Sequence, residues 1–205
     1  MLKTIVQLGE AVLRKPARLL SVDEIKSSET QDLIVSMKET MRHAPGVGLA
    51  APQIGLDIQL AVIEDRPEYS ASFPPEILRE RARVPLEFHV VINPVLTIID
   101  PEEILFFEGC LSIAGICRIT PRAKSVRVEC LDENGNKKII EASGWYARIL
   151  QHEIDHLGGK LFIDRADART EIILDETARK TWWQASHKAV HDYFCEKTGL
   201  KTGKI

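Results

Sequence analysis

The chain has 205 residues, 44% of them hydrophobic and 28% charged, the balance of an ordinary globular protein with one compact domain. Twenty-seven Lys and Arg against 30 Asp and Glu leave a net charge of −3, which excludes a global basic field for reading nucleic acid. No apolar run approaches the roughly 20 residues that span a bilayer, so no membrane association is expected.

The first residues, Met1 to Gly9, lack a signal-peptide core and an Arg-rich leader character, so they read as part of the fold. Cys110, Cys117, Cys130 and Cys195 are too scattered for a disulfide scaffold and are expected as thiols. A cytoplasmic location follows, or an organelle matrix if a leader has been removed.

Ser28 to His43 places Leu33, Ile34, Met37 and Met41 at helical spacing, with Ser28 and Gln31 as a capping box. The run Gly46-Val-Gly-Leu-Ala-Ala-Pro-Gln-Ile-Gly55 breaks that periodicity, and Gln59 to Asp65 reads as a buried strand. Arg66 to Pro85, rich in proline and charge, reads as a surface insertion, and Arg79 to Arg83 within it as a solvated loop. Five strands are expected over 89–92, 95–99, 104–107, 125–131 and 137–140, with a tight hairpin turn at Asn134-Gly135. Ser143 caps a helix carrying Trp145, Ile149, His152, Glu153 and His156, and Gly158-Gly159 ends it. Asp175 to Lys197 reads as a final helix. The fold class is therefore α+β: a mainly antiparallel sheet packed around a central helix, with N-terminal and C-terminal helices.

His152-Glu153-Ile154-Asp155-His156 carries the strongest chemical signal. Positions i and i+4 share a helix face, so both imidazoles can bind one metal, while Glu153 beside them can move a proton. Three sources of a third ligand compete. A metzincin arrangement needs a ligand at Phe162, which cannot coordinate. A thermolysin-like arrangement would use Glu171 or Glu176. A soft site would use Cys110, in Glu108-Gly-Cys-Leu-Ser112, leaving one position for water. A second histidine pair, His187 and His191, with Cys195 in the same row, has no acid placed for chemistry and reads as part of a docking tail beside Trp182 and Trp183.

Three separated blocks, Gly46-Val-Gly-Leu-Ala-Ala-Pro-Gln53, Glu108-Gly-Cys-Leu-Ser112 and Gln151-His-Glu-Ile-Asp-His156, together resemble the peptide deformylases, in that family's order. Leu13 to Pro16 and His156 to Arg165 match as well, and Trp145 and Arg148 are similar to organellar-type members and to some bacterial ones. The resemblance implies a metal held by Cys110, His152 and His156, natively Fe2+, with Zn2+, Ni2+ or Co2+ as replacements. It implies Glu153 as general base and acid, and Gln53 with the backbone N–H of Leu111 as donors to the developing oxyanion. It implies Val47, Gly48 and Gly109 against an extended N-formylmethionyl peptide, Glu108 and Gln151 orienting the ligands, and Phe106 lining the methionine pocket. The reaction implied is removal of the N-terminal formyl group from nascent polypeptides, with transient ribosome association and no specific reading of nucleic acid. Residues 1–167 then form the catalytic domain and 168–205 its helical extension. One departure stands out: many family members have a substrate-binding arginine where this chain has Cys117, with Arg118 one place later. The rival readings are a thermolysin-like metallopeptidase using Glu176 and an inactive peptide-binding relative.

Overall fold

In the computed structural model, which describes residues 1–200, seven helices surround one antiparallel sheet. The helices are α1 (Val22–Lys26), α2 (Ser28–His43), α3 (Pro75–Glu80), α4 (Gly144–Leu157), α5 (Phe162–Arg165), α6 (Asp175–Thr181) and α7 (His187–Thr198). The strands are β1 (Gly48–Ala50), β2 (Leu60–Asp65), β3 (Leu86–Cys110), β4 (Ile113–Leu131), β5 (Lys137–Ser143) and β6 (Ile173–Leu174). Strands β1 to β5 lie in sequential order, and β6 pairs with the other end of β4. None of the described helices is long and apolar enough to cross a membrane.

The expected helix over Ser28–His43 is present, but its cap lies one residue earlier, where Ser27 Oγ accepts from the Thr30 N–H at 3.3 Å. The capping box belongs instead to α1, a helix too short for periodicity to reveal: Ser21 and Glu24 satisfy each other's backbone donors there. Ser143 does precede α4, without a side-chain cap bond, and Gly159 rather than Gly158 takes the positive φ of 72°. A side chain at Gly159 would press within 3 Å of the Arg14 and Lys15 backbone, so the helix end and the N-terminal segment can meet only over glycine.

The three strands expected over 89–92, 95–99 and 104–107 are one continuous strand, β3, whereas those over 125–131 and 137–140 are separate, in β4 and β5. β3 and β4 form one long hairpin whose register shifts near residues 92–95, 98–103 and 108–110 break the alternation from which strands are read. The Asp132–Asn136 turn forms, with Gly135 at φ 75° and Asp132 Oδ1 accepting the N–H groups of Asn134 and Asn136.

Two expectations need correction. The stretch Arg79 to Arg83 is not wholly solvated: Arg81 and Arg83 are buried, Arg83 in a bidentate pair with Asp65 at 2.8 Å and stacked over Trp145. The C-terminal segment is not one helix but two, α6 and α7, separated by a turn at Trp182–Trp183. Phe107 stacks on Trp182, and Val190 and Phe194 join the same apolar cluster. The last residues of the expected extension, 201–205, lie outside the described residues.

The apolar faces explain these placements. α2 buries Ile34, Met37 and Met41 against Leu49, Leu60 and Val62, while α4 buries Ala147, Ile149 and Leu150 against Val126, Val128 and Ile140. The sheet thus holds α4 with its polar residues facing the ends of β1 and β3.

Candidate active site

α4 supplies His152, Glu153 and His156, and the end of β3 supplies Cys110. The sulfur and one nitrogen of each histidine lie within 4.8 Å of one another, with Cys110 Sγ 3.3 Å from His156 Nε2. Among the described residues this is the one cluster of three donors that could hold a metal ion. The competing ligands are elsewhere. Glu171 is exposed and bonded to Tyr193 and Lys197, and Glu176 is exposed and paired with Lys180, so the thermolysin-like ligand set is not formed. Nor do His187, His191 and Cys195 converge: His187 faces Glu80 at 3.6 Å, and His191 lies 3.8 Å from Cys195.

Beneath the cluster is a buried ion network. Glu108 accepts from Arg122 at 3.0 and 2.9 Å, from Arg148 at 2.6 Å and from His152 Nδ1 at 3.0 Å. Arg122 also reaches Asp155, which Arg165 holds from its other side at 2.7 Å. Burial alone would raise the Glu108 pKa, but Arg122, His152 and Arg148 outweigh it and keep the carboxyl ionised, well below its usual range. That carboxylate fixes His152 by Nδ1 and leaves Nε2 for the cluster. Burial would also lower the His152 pKa; Cys110 and Glu108 beside it outweigh that effect and raise it, whereas burial and His152 push His156 well below its usual value. A thiol and two imidazoles, one oriented by a carboxylate and one held neutral, form a donor set that fits a divalent first-row cation. Gln151, expected to orient a ligand, is instead bonded to both backbone groups of Ala123.

Glu153 is buried, and its Oε2 has no hydrogen-bond partner among the described residues. Burial pushes its carboxyl up to about 7, opposed by His152 and reinforced by Glu108. A Cβ added at Gly48 would overlap this carboxyl group, so the glycine makes room for the acid as well as keeping the chain narrow. Gln53 is oriented by the Ala50 N–H, which donates to Oε1 at 2.8 Å and leaves Nε2 at 3.5 Å from Cys110 Sγ and 3.4 Å from Ser112 Oγ.

These groups open into a cavity of about 420 Å³ that Val47, Gly48, Gly109 and Leu111 also line. Phe107 lines it, whereas Phe106 stands behind the wall, beneath Arg81 and against Trp145 and Trp183, which line the cavity themselves. Cys117 is fully buried, while Arg118 points away to the carbonyls of Ala168 and Thr170. Three lining residues, Asp175, Arg179 and Trp183, come from the C-terminal segment and carry no local motif.

An α+β scaffold with a Cys–His–His donor set that could hold a metal ion, and a buried carboxyl in the same cleft, has the geometry of a metallohydrolase. The chain belongs to the polypeptide deformylase family, whose model matches residues 2–171. It is 45% identical over 166 residues to a chloroplastic peptide deformylase 1A of Solanum lycopersicum, covering 81% of this chain and 60% of that protein. A chloroplastic/mitochondrial relative from Arabidopsis thaliana is 44% identical, over 82% of this chain and 63% of the relative. The chain therefore spans less than two thirds of the length of these two plant proteins. Among solved structures, a class I type b peptide deformylase from Acinetobacter baumannii bound to Met-Ala-Ser superposes with a TM-score of 0.71 at 31% identity, covering 80% of this chain and 98% of that one.

Proposed function

We propose that this protein removes the N-terminal formyl group from N-formylmethionyl polypeptides. The observation that carries the reading is the convergence of Cys110, His152 and His156 beside an unpartnered, buried Glu153 and an oriented Gln53. Cys110, His152 and His156 hold a divalent cation, natively Fe2+, with Zn2+, Ni2+ or Co2+ able to replace it. When bound, such an ion lowers the pKa of water and polarises a carbonyl oxygen.

The chain's own residues supply the rest. Val47 and Gly48 on one wall and Gly109 on the other seat an extended peptide, with glycine allowing close backbone approach. Glu153 takes the proton of the attacking water, and its elevated pKa lets it return that proton near neutrality to the departing nitrogen. The bond from formyl carbon to nitrogen breaks, giving formate and a free methionyl amine. As the formyl oxygen turns anionic, Gln53 Nε2 and the Leu111 N–H donate to it, at about 2.7–4 kcal/mol per preorganised donor. Phe107, Trp145 and Ile149 supply an apolar lining suited to methionine. The A. baumannii relative was solved with Met-Ala-Ser bound. The substrates are nascent chains, met near the ribosome in the cytoplasm or an organelle matrix.

The test is formate release from formyl-Met-Ala-Ser by protein purified anaerobically and loaded with ferrous iron, beside Glu153→Ala with its metal content measured. Release by the parent alone, with metal retained in the variant, is the expected result. A fully metallated parent that releases nothing would overturn the reading.

A further inference from the structure

One wall of the cleft is built by residues beyond the family-matched range. β6 pairs with β4 through Ile173 opposite Cys117 and Leu174 opposite Ile116, which sets the start of α6 beside Gly109, the neighbour of Cys110. A Cβ at Gly109 would lie 3.1 Å from Cys117 Sγ and 3.9 Å from Asp175 Oδ1, so the tail touches the strand end that carries the ligand. The Cys117 thiol donates to Asp175 Oδ1 at 3.2 Å, and Asp175 Oδ2 accepts from Arg179 Nε at 2.6 Å. The Arg179 guanidinium also stands 5.5 Å above the Trp183 ring.

Three arginines line the cavity, and two are fully engaged: Arg83 with Asp65, and Arg148 with Glu108 and the Thr120 carbonyl. Arg179 differs. Its side chain is 59% exposed, it is held on one edge by Asp175, and neither Nη group makes a hydrogen bond among the described residues. A planar fork fixed at its base and open at its tip matches a carboxylate or a row of carbonyls.

We propose that Arg179 is a substrate-positioning residue that binds acceptor groups of the peptide downstream of its first residue, favouring an acidic side chain there. This rests on the deformylase reading only for the nature of the peptide in the cleft. Asp175 tempers the effect by neutralising part of the charge, so its removal should sharpen the preference.

The test compares kcat and KM on formyl-Met-Ala-Asp-amide, formyl-Met-Ala-Asn-amide and formyl-Met-Ala-Lys-amide for the parent, Arg179→Ala, Arg179→Lys and Asp175→Asn. The parent should favour Asp over Lys by about fivefold, through KM, as befits a partly exposed ion pair. Arg179→Ala should lose or invert that order, Arg179→Lys keep part of it, and Asp175→Asn enlarge it. An equal loss on all three peptides, or an unchanged order in Arg179→Ala, would overturn the assignment. Calorimetric titration of Met-Ala-Asp-amide and Met-Ala-Lys-amide requires no turnover. A parent that releases no formate yet binds the two with Arg179-dependent discrimination would therefore sink the deformylase reading and leave the cleft assignment standing.

Discussion

The floor of the cleft and its C-terminal wall are held in opposite ways. In the floor, charged groups from β3, β4 and α4 interlock, and Glu108 alone accepts from Arg122, Arg148 and His152. The wall is held by a two-residue strand pairing, an aromatic cluster and a few polar fasteners, among them Arg81, which donates to the Trp183 and Ala185 carbonyls at 2.8 Å each, and the Cys117 thiol on Asp175. A buried charge network is costly to assemble and intolerant of loss, which suits groups whose positions must not vary. Apolar packing with a few polar fasteners tolerates substitution better than a buried charge network does.

The largest expected effect breaks the floor. Arg122→Ala leaves Glu108 and Asp155 each short of a buried counter-charge. Such a loss destabilises by about 3–5 kcal/mol. Chemical denaturation should show that drop, and metal content should fall with it as His152 loses its fixed partner. A variant within 1 kcal/mol of the parent, on the order of an exposed pair, would mean the network is decoration.

Gly48→Ala separates geometry from stability. The added methyl collides with the Glu153 carboxyl, so the acid must move, and a misplacement of about 1 Å costs on the order of 10²-fold in rate. Formate release should fall accordingly while the metal stays bound, because the three atoms nearest the added methyl all belong to Glu153. Unchanged turnover would show that Glu153 has room that the structure denies it.

Arg81→Met probes the wall. The change removes two bonds to half-buried carbonyls and the stacking on Phe106, at about 1–3 kcal/mol. Limited proteolysis should then cut between α6 and α7 while residues 1–167 stay resistant. Cutting throughout the chain would show that the wall and the floor unfold as one.

This contrast also governs what could be read in the sequence. His152, Glu153 and His156 were legible because one helical turn brings them together, and Cys110 and Gln53 because each sits in a short block of its own. The rest of the network was not. Arg122 meets Glu108 through a hairpin whose register shifts near residue 109, and Asp155 meets Arg165 only after the chain turns back beyond α4. Arg81 and Arg83 read as solvated because their partners, Trp183 and Asp65, are distant in sequence and leave no periodic trace. A mixed fold with a largely antiparallel sheet and a few helices followed from hydrophobic patterning. The single long hairpin did not, since its bulges break the period of two.

The smallest expected effect sharpens the comparison through pH. His187 begins α7 and packs against the Phe106 ring, facing Glu80, Arg81 and Arg148. Burial lowers its pKa; Glu80 opposes this, and Arg81 and Arg148 reinforce it. The docked wall therefore favours the neutral ring. Stability from this site is present above the unfolded value of about 6.5, and it is lost as pH falls through the lower folded value, because the unfolded chain binds the proton first. His187→Gln removes the titration but keeps a polar side chain. Its melting temperature should gain on that of the parent between pH 7.5 and 5.5, most visibly in the fluorescence of Trp182 and Trp183. A parent that instead gains on the variant over that range would mean that attraction to Glu80 outweighs burial, and that the wall is held by charge after all.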